Sequence, residues 1–418
     1  MSRRVVITGM GAVTPIGNDV DTYWQSLLSG TSGIAGITAF DVTDYACRIA
    51  AEVKDFKCSD LVDPKEARRT DRVILFAITA AEQAAEQAGL QGSDIDPDRV
   101  GVIIGSGIGG IRTLEDEHTK LVQRGPGRVG PFLIPMMISD MSSGLVSIKL
   151  GLKGPNYSVV SACASGANAI GDAWLGIKAG IMDAAVAGGA EATISPISLA
   201  GFCSMKALST RNDTPEKASC PFDRKRDGFV MGEGAGIFVL EELEHARKRG
   251  ATILGEVIGY GATGDAHHLS APAPAGEGAI RAMKMALSSA GLQPPDIDYM
   301  NAHGTSTQLN DKYESAAIGS VFGECAEKLS ISSTKSMTGH LLGASGAIEL
   351  IASVLAIRDG VIPPTINYED PDPDCPLNYT PNEPVRRQVT YAQSNSFGFG
   401  GHNASLIIGK YDGAEGGS

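Results

Sequence analysis

The stretch Tyr157-Ser158-Val159-Val160-Ser161-Ala162-Cys163-Ala164-Ser165-Gly166-Ala167 contains both kinds of element that decide the fold. Residues 157–162 have the short β-branched pattern of a buried strand, and the small residues that follow are typical of a closely packed helix. A strand that runs into a helix is the repeating unit of α/β proteins. The stretch therefore predicts an α/β fold with Cys163 at the turn between the two elements.

The rest of the chain repeats this alternation. Short apolar runs predict strands at residues 5–8, 100–104, 158–161, 184–187, 237–240, 253–259, 299–302, 329–333 and 405–408. Longer amphipathic or small-residue stretches predict helices at residues 69–88, 164–179, 277–290 and 345–358. Strands that alternate with helices indicate mostly parallel or mixed sheets.

Two parts of the chain resemble each other. The Cys163 segment leads through a small-residue helix to Gly188-Gly189, and Ile331-Ser332-Ser333-Thr334-Lys335 is likewise followed by a helix that opens at Gly343. Gly-rich turns precede two later apolar strands, at Gly232-Glu233-Gly234 and at Gly398-Phe399-Gly400-Gly401. We interpret this pattern as two related halves, residues 1–250 and 251–412.

The composition argues against several classes of function. The chain has 418 residues and a formal net charge of −13, whereas general nucleic-acid binding needs clustered Lys and Arg. No apolar run is long enough to span a membrane and the first residues do not resemble a signal peptide, so we expect a soluble cytoplasmic protein. The 7 cysteines are odd in number and scattered, which argues against a disulfide framework. They include no Cys-x-x-Cys pair, so no zinc site is expected.

Cys163 differs from the other cysteines because it lies at the predicted start of a helix. Unpaired N–H groups and the helix dipole favour a thiolate there, so we expect a lowered thiol pKa. The same N–H groups are suited to bind an oxyanion, and the small neighbours leave room for a carbonyl group. A buried structural cysteine is the alternative that the spacing leaves open.

Two histidines lie in glycine-containing loops. His303 belongs to Asn301-Ala302-His303-Gly304-Thr305-Ser306-Thr307, directly after a predicted strand, where functional side chains of α/β proteins usually emerge. His340 lies between glycines and is flanked by Lys335 and Glu349, which are able to form an ion pair. A satisfied loop histidine and an ordinary salt bridge are the alternatives.

The run Gly105-Ser106-Gly107-Ile108-Gly109-Gly110 follows a predicted strand and has to be compared with a dinucleotide-binding loop. No acidic residue ends a second strand at the distance that such a fold requires. A nicotinamide-dependent oxidoreductase is therefore a distant alternative.

In combination, the motifs resemble those of the β-ketoacyl-acyl-carrier-protein synthase family over residues 3–410. Besides both histidine motifs and the Cys163 turn, they are Val5-Val6-Ile7-Thr8-Gly9-Met10-Gly11, Gly154-Pro155-Asn156, Pro221-Phe222-Asp223, Asp227-Gly228-Phe229, Gly232-Glu233-Gly234 and Asn395-Ser396-Phe397-Gly398-Phe399-Gly400-Gly401. The resemblance implies a homodimer with a thiolase-like fold, layered α/β/α/β/α and built from two pseudo-repeated halves. It also implies an elongating enzyme, most similar to synthase II, that condenses an acyl thioester with malonyl-acyl-carrier-protein in fatty acid synthesis.

The resemblance further implies roles for individual residues. Cys163 would carry the acyl group, while His303 and His340 would bind the malonyl thioester oxygen. The residues expected to assist them are Lys335 and Glu349 beside His340, Asp311 near His303, Phe399 as oxyanion donor and gate, Thr305, Thr307 and Ser270 on the phosphopantetheine arm, and Ile108 in the acyl tunnel. No cofactor is required, because phosphopantetheine arrives on the carrier protein, and no metal is expected.

Acyl carrier proteins are acidic, so docking on an acidic enzyme needs a local basic surface. Lys65, Arg68 and Arg69 recur at helical spacing. Together with Lys206 they form the surface that we interpret as the docking patch. A solvated basic face is the alternative reading of the same spacing.

Two further alternatives belong to the same fold. A stand-alone polyketide-type ketosynthase would run the same chemistry on other acyl partners. A non-catalytic chain-length partner would lack the active cysteine, so the presence of Cys163 with both histidines counts against it.

Overall fold

The strands of the computed structural model largely follow the apolar runs of the sequence; the structure describes residues 3–90 and 95–413. All residues of the first strand are buried, as expected for a strand covered on both faces. Within the described residues the strands are β1 Val5–Val13, β2 Ala35–Gly36, β3 Ile49–Ala50, β4 Val100–Gly105, β5 Asn156–Tyr157, β6 Ala184–Glu191, β7 Gly234–Glu242, β8 Gly255–Gly264, β9 Tyr299–Asn301, β10 Ser330–Ser332, β11 Val361–Ile362, β12 Val385–Arg386, β13 Tyr391–Gly398 and β14 His402–Gly409.

The helices have recognisable ends. The helix predicted from residue 69 begins only at Arg72, because the Asp71 carboxylate caps it by accepting from Val73 N, and it ends at Gly89 with φ 62°. The helices are α1 Val20–Leu28, α2 Pro64–Ala67, α3 Arg72–Ala88, α4 Ile111–Arg124, α5 Leu133–Met137, α6 Met141–Leu150, α7 Ser165–Lys178, α8 Pro196–Ser204, α9 Leu243–Lys248, α10 Glu277–Ala290, α11 Gln308–Phe322, α12 Lys335–Thr338 and α13 Ser345–Asp359.

The strand order repeats between the two halves of the chain. One continuous array within the described residues has the order β10-β9-β13-β14-β8-β1-β7-β6-β4-β5. From either end inwards, two parallel pairings are followed by two antiparallel ones. The halves join where β1 pairs with β8, through Val5 opposite Val257 and Ile7 opposite Gly255. The symmetry matches the predicted repeat, while the domain boundary near residue 250 stays a prediction.

Helices cover both faces of this array. Helix α3 lies against β1, β6 and β7 on one outer side, and α10 lies against β8 and β14 on the other. Helices α7 and α13 lie between the halves, since each contacts strands of both. The layers therefore alternate as helix, sheet, helix, sheet and helix, and the predicted thiolase-like α/β/α/β/α fold is confirmed.

Helices α7 and α13 open in the same way. Short 3₁₀ turns, Ala162–Ala164 and Leu342–Ala344, precede them. Each turn starts with a non-glycine residue at positive φ, 52° at Ala162 and 47° at Leu342. Gly343 occupies in the second turn the position that Cys163 occupies in the first.

One predicted strand is wrong. Residues 158–161 are not in a ladder, and the strand there is limited to Asn156–Tyr157 at the edge of the array. An edge position offers a pairing partner on one side only, so an apolar β-branched run is not sufficient to extend the strand. Strand β13 was not predicted, because its polar residues Gln393, Ser394 and Asn395 hide the apolar alternation.

Close packing of α3 on β1 depends on glycine, which gives a test of the fold. A Cβ at Gly11 would lie 1.9 Å from Ala80 O, a backbone atom that cannot move alone. We expect Gly11→Ala to lower the free energy of unfolding by about 3 kcal/mol in urea denaturation. Gly319→Ala in α11 is the control, because nothing lies within 4 Å of its Cβ. Equal stability of the two variants would contradict this packing.

Candidate active site

Cys163 lies in the 3₁₀ turn that leads into α7, as expected for a nucleophile at a strand-to-helix elbow. Ser165 holds the turn: its Oγ donates to Ala162 O over 2.6 Å and accepts from Ser161 N over 2.9 Å. The end of β13 passes directly over the turn, since a Cβ at Gly398 would lie 3.0 Å from Cys163 N. The backbone N–H groups of Cys163 and Phe399 both favour the thiolate and so act to lower the pKa of Cys163.

The expected lowering of the thiol pKa is wrong. Burial raises the pKa of Cys163 to about 12, although Lys335 and the two backbone N–H groups act in the opposite direction. The helix start favours the thiolate, but the loss of water around the buried sulfur outweighs that effect. The thiol is therefore protonated until a base in the cavity removes its proton.

His303 follows β9 and is held through its backbone. Glu314 of α11 accepts from His303 N over 2.8 Å and from Gly304 N over 2.7 Å. Sequence reasoning missed Glu314, because a carboxylate that binds only backbone N–H groups has no charged partner to reveal it. Asp311, predicted near His303, instead accepts from Ser306 N and Phe222 N and so supports the turn after the histidine.

His340 is fixed on both sides of its backbone and through its ring. Its N–H donates to Val230 O over 2.7 Å, and its carbonyl accepts from Gly232 N over 2.8 Å. Its Nδ1 lies 2.9 Å from Ser345 Oγ in the first turn of α13. The ring faces that of His303 edge-on, with centroids 5.3 Å apart and an angle of 83°.

Both imidazoles are neutral in this environment. Burial lowers the pKa of His303 and His340 well below 6.5, and the charge of Lys335 lowers both further. Each histidine is at most 3% exposed. A neutral imidazole keeps one N–H donor and one acceptor nitrogen.

Lys335 and Glu349 form a buried ion pair behind the histidines. Both side chains are 1% exposed, and Lys335 Nζ donates to Glu349 Oε1. Burial raises the pKa of the Glu349 carboxyl to about 7 against the opposing effect of Lys335. The pair predicted from sequence is thus present, and it places a positive charge near the rings.

One cavity of about 440 Å³ brings most of the predicted site residues together. Cys163, His303 and His340 all line it. Its walls also include the predicted residues Ile108, Lys206, Ser270, Thr305, Thr307 and Phe399, and the unpredicted Phe202 and Phe229. Thr305 Oγ1 and Thr307 Oγ1 are 3.0 Å apart, so together they offer a polar edge.

The predicted docking residues lie on the surface. Lys65, Arg68 and Arg69 are exposed around the short helix α2, and Lys206 is exposed at the cavity. None of the four forms an ion pair with any residue that the structure describes. Their charges are therefore free to meet an acidic partner.

No cluster of three or more His, Cys, Asp or Glu suited to hold a metal ion occurs in the described ranges. None of the helices in residues 3–90 and 95–413 is long and apolar enough to cross a membrane.

The buried ion pair gives a pH-dependent test. Lys335→Met should lower the free energy of unfolding by about 3 kcal/mol at about pH 8, because it leaves Glu349 buried and unpaired. Without Lys335, the pKa of Glu349 in the folded state lies above its unfolded value of about 4.3, so the folded state binds the proton more tightly. The loss of stability caused by Lys335→Met should therefore become smaller as the pH falls towards about 5.

Chemical denaturation at both pH values checks this sign. Lys217→Ala is the control, since it breaks the exposed Lys217–Glu369 pair and should change stability little. If Lys335→Met lowers the free energy of unfolding equally at both pH values, Glu349 is not the group that is left buried without an opposite charge.

Known proteins match this chain over nearly its full length. Residues 2–246 match the family described as "Beta-ketoacyl synthase, N-terminal domain", and residues 254–369 match "Beta-ketoacyl synthase, C-terminal domain". A 3-oxoacyl-[acyl-carrier-protein] synthase 2 of Synechocystis sp. is 54% identical over 409 residues, which cover 98% of each chain.

Solved structures agree with this similarity. A beta-ketoacyl synthase from Burkholderia phymatum has a TM-score of 0.91 at 38% identity, covering 98% of this chain and 100% of the other. The ketosynthase complex in "type II PKS acyl-carrier protein in complex with its ketosynthase bound to the hexaketide" has a TM-score of 0.92 at 34% identity, with the same coverage. With both family domains matched across the turns that carry Cys163, His303 and His340, this chain belongs to the β-ketoacyl synthase family.

Proposed function

We propose that the protein is an elongating β-ketoacyl-acyl-carrier-protein synthase of the synthase II type, an acyltransferase of fatty acid synthesis. The observation that carries this proposal is the shared cavity of one thiol, Cys163, and two buried neutral imidazoles, His303 and His340. A thiol accepts and releases acyl groups as thioesters, and neutral imidazoles donate N–H bonds to an oxygen that gains charge. The similarity to synthase 2 relatives supports the same assignment.

In the first half-reaction an acyl chain moves from its carrier to Cys163. A neutral imidazole takes the thiol proton, and the sulfur attacks the thioester carbonyl. The N–H groups of Cys163 and Phe399 stabilise the oxyanion. When the C–S bond to the carrier breaks, the imidazolium returns the proton to the departing thiol, so both rings are neutral again.

In the second half-reaction a malonyl thioester enters. His303 and His340 donate hydrogen bonds to its carbonyl oxygen, which stabilises the enolate formed as CO₂ leaves. The enolate carbon attacks the acyl-Cys163 thioester, and a new C–C bond forms as the C–S bond to Cys163 breaks. A proton taken up from solvent then returns the thiolate to the thiol. Lys335 has a supporting role, because its charge lowers the pKa of both rings, so that they are neutral N–H donors when the malonyl thioester binds.

The substrate arm and the partner follow from the cavity. Thr305, Thr307 and Ser270 line it and offer hydroxyl groups to phosphopantetheine, which the carrier protein brings, so no resident cofactor is required. Acyl carrier protein, loaded with an acyl or a malonyl group, is the partner. A ketosynthase of similar fold has been solved with its acyl-carrier protein, which supports this partner.

Several finer assignments belong to the same proposal. Ile108 leaves an acyl tunnel deep enough for medium and long chains. A homodimer is supported by the apolar side chains exposed beside edge strand β5, where Tyr157 is 43% and Val160 is 58% exposed. We assign the reaction to the cytoplasm, which fits the free state of the cysteines in the described residues.

A stand-alone polyketide ketosynthase is the second candidate. A polyketide ketosynthase is among the chains of similar structure. The profile of acyl groups that Cys163 accepts distinguishes the two, since a polyketide ketosynthase would run the same chemistry on other acyl partners. The role of a non-catalytic chain-length partner is disfavoured, because the thiol and both rings are in place.

Mass spectrometry after mixing with acyl-acyl-carrier-protein tests the nucleophile. We expect an acyl adduct on the Cys163 peptide of the unmodified protein and none in Cys163→Ala. Malonyl decarboxylation should persist in Cys163→Ala, because both imidazoles remain. Cys325→Ala is the control and should acylate normally, since Cys325 does not line the cavity. An adduct that survives in Cys163→Ala would remove the proposed role of Cys163.

Charge reversal tests the docking patch. Arg68→Glu should raise the KM for acyl-carrier substrate several-fold and leave reaction with a small acyl thioester unchanged, because only the carrier is acidic. Lys284→Glu on α10 is the control, because it makes the same charge change on the opposite outer layer. It should change neither the KM for acyl-carrier substrate nor the reaction with a small acyl thioester. If Arg68→Glu impairs both substrates equally, the patch is not where the carrier binds.

A further inference from the structure

Glu191 is a buried carboxylate beside the cavity that the mechanism above does not use. It ends β6, and its side chain is inaccessible to solvent. Its Oε2 accepts from Gly107 N over 2.7 Å and from Gly343 N over 3.0 Å. Its Oε1 accepts from Ser106 Oγ over 3.0 Å and from Ile108 N over 3.2 Å.

These bonds hold the backbone of the loop that carries Ile108. Gly107 N and Ile108 N both donate to the carboxylate, and Ser106 Oγ relays the contact to Gly109 N over 3.0 Å. The Ile108 side chain projects into the cavity that Cys163 also lines. Glu191 therefore fixes the position of the Ile108 side chain relative to the Cys163 thiol.

The same carboxylate reaches the second half of the chain through Gly343. A Cβ at Gly343 would lie 2.5 Å from Gly107 N and 2.7 Å from Glu191 Oε2, so the loop and the turn before α13 touch directly. The Ile108 loop and the turn before α13 are thus held against one anchor, and a Cβ at Gly107 would lie 3.5 Å from Ala162 O in the turn that carries Cys163.

Glu191 is held by N–H and O–H donors instead of a cation. No ion pair to it is found in residues 3–90 or 95–413. Burial raises the pKa of its carboxyl to about 7, while the N–H groups of Gly107 and Gly343 act against this. A carboxylate only accepts hydrogen bonds, so it suits the four donors that converge on Glu191. A glutamine amide of the same shape would place its own N–H₂ donors against backbone N–H groups.

We propose that Glu191 is a positioning residue that sets acyl-chain selectivity by anchoring the Ile108 loop beside Cys163. A long acyl chain has to pass Ile108, whereas an acetyl group ends before it. This inference rests on the proposed function, because it concerns the acyl group that Cys163 accepts.

The experiment compares acylation of Cys163 by acetyl- and palmitoyl-acyl-carrier-protein in Glu191→Gln and the unmodified protein. Loss of the anchor leaves buried N–H groups unpaired and lets Ile108 enter the path of the chain. We expect palmitoyl transfer to fall about tenfold more than acetyl transfer. An equal fall for both substrates, or no change in either, would overturn the proposal.

Two further variants separate selectivity from folding. Glu241→Gln removes a buried carboxylate that pairs with Arg249 far from the cavity, and should leave the ratio of the two rates unchanged. Glu191→Asp keeps the charge but is too short for all four donors, so it should shift the ratio in the same direction even if Glu191→Gln does not fold. If the unmodified protein forms no acyl adduct at all, the proposed function fails, whereas an adduct with an unshifted ratio in Glu191→Asp defeats only the role of Glu191.

Discussion

Cys163 and the two imidazoles come from different halves of the chain, and they share a cavity because the turn before α13 touches α7 and β6 without side chains in between. A Cβ at Gly166 would lie 2.7 Å from Gly343 O, and one at Gly189 would lie 2.3 Å from the same atom. Any larger residue at these positions would force the turn before α13 away from α7 and β6. The shared cavity therefore depends on backbone-to-backbone contact at the interface of the two halves.

Exclusion of water determines the charge states in this cavity. The thiol and both rings are neutral because a charged form would lose its hydration, and the nearby ammonium of Lys335 further disfavours protonated rings. Neutral rings are hydrogen-bond donors to a developing oxyanion without being so acidic that they protonate the enolate carbon. The buried ion pair thus supports a charge arrangement that an open, hydrated site would not maintain.

Much of this could be predicted from the sequence. The strand and helix alternation, the thiol at a helix start and the Lys335–Glu349 pair all follow from local pattern and spacing. The thiol pKa could not, because burial of Cys163 depends on residues far away in the chain. Glu314 and Glu191 were also missed, since a carboxylate bound by backbone N–H groups has no sequence partner. The roles of the individual site residues remain predictions that rest on this geometry.

The second turn has Gly343 at the position that Cys163 occupies in the first turn. This difference has a kinetic consequence. Gly343 carries no sulfur, and Gly107 N and the Glu191 carboxylate take the space of a side chain there, so under the proposed function each chain stores a single acyl group. Under the proposed function, donor and extender must therefore visit the same entrance in turn, in a double-displacement cycle. Free carrier released at each visit would compete with both, so throughput depends on how quickly spent carrier dissociates.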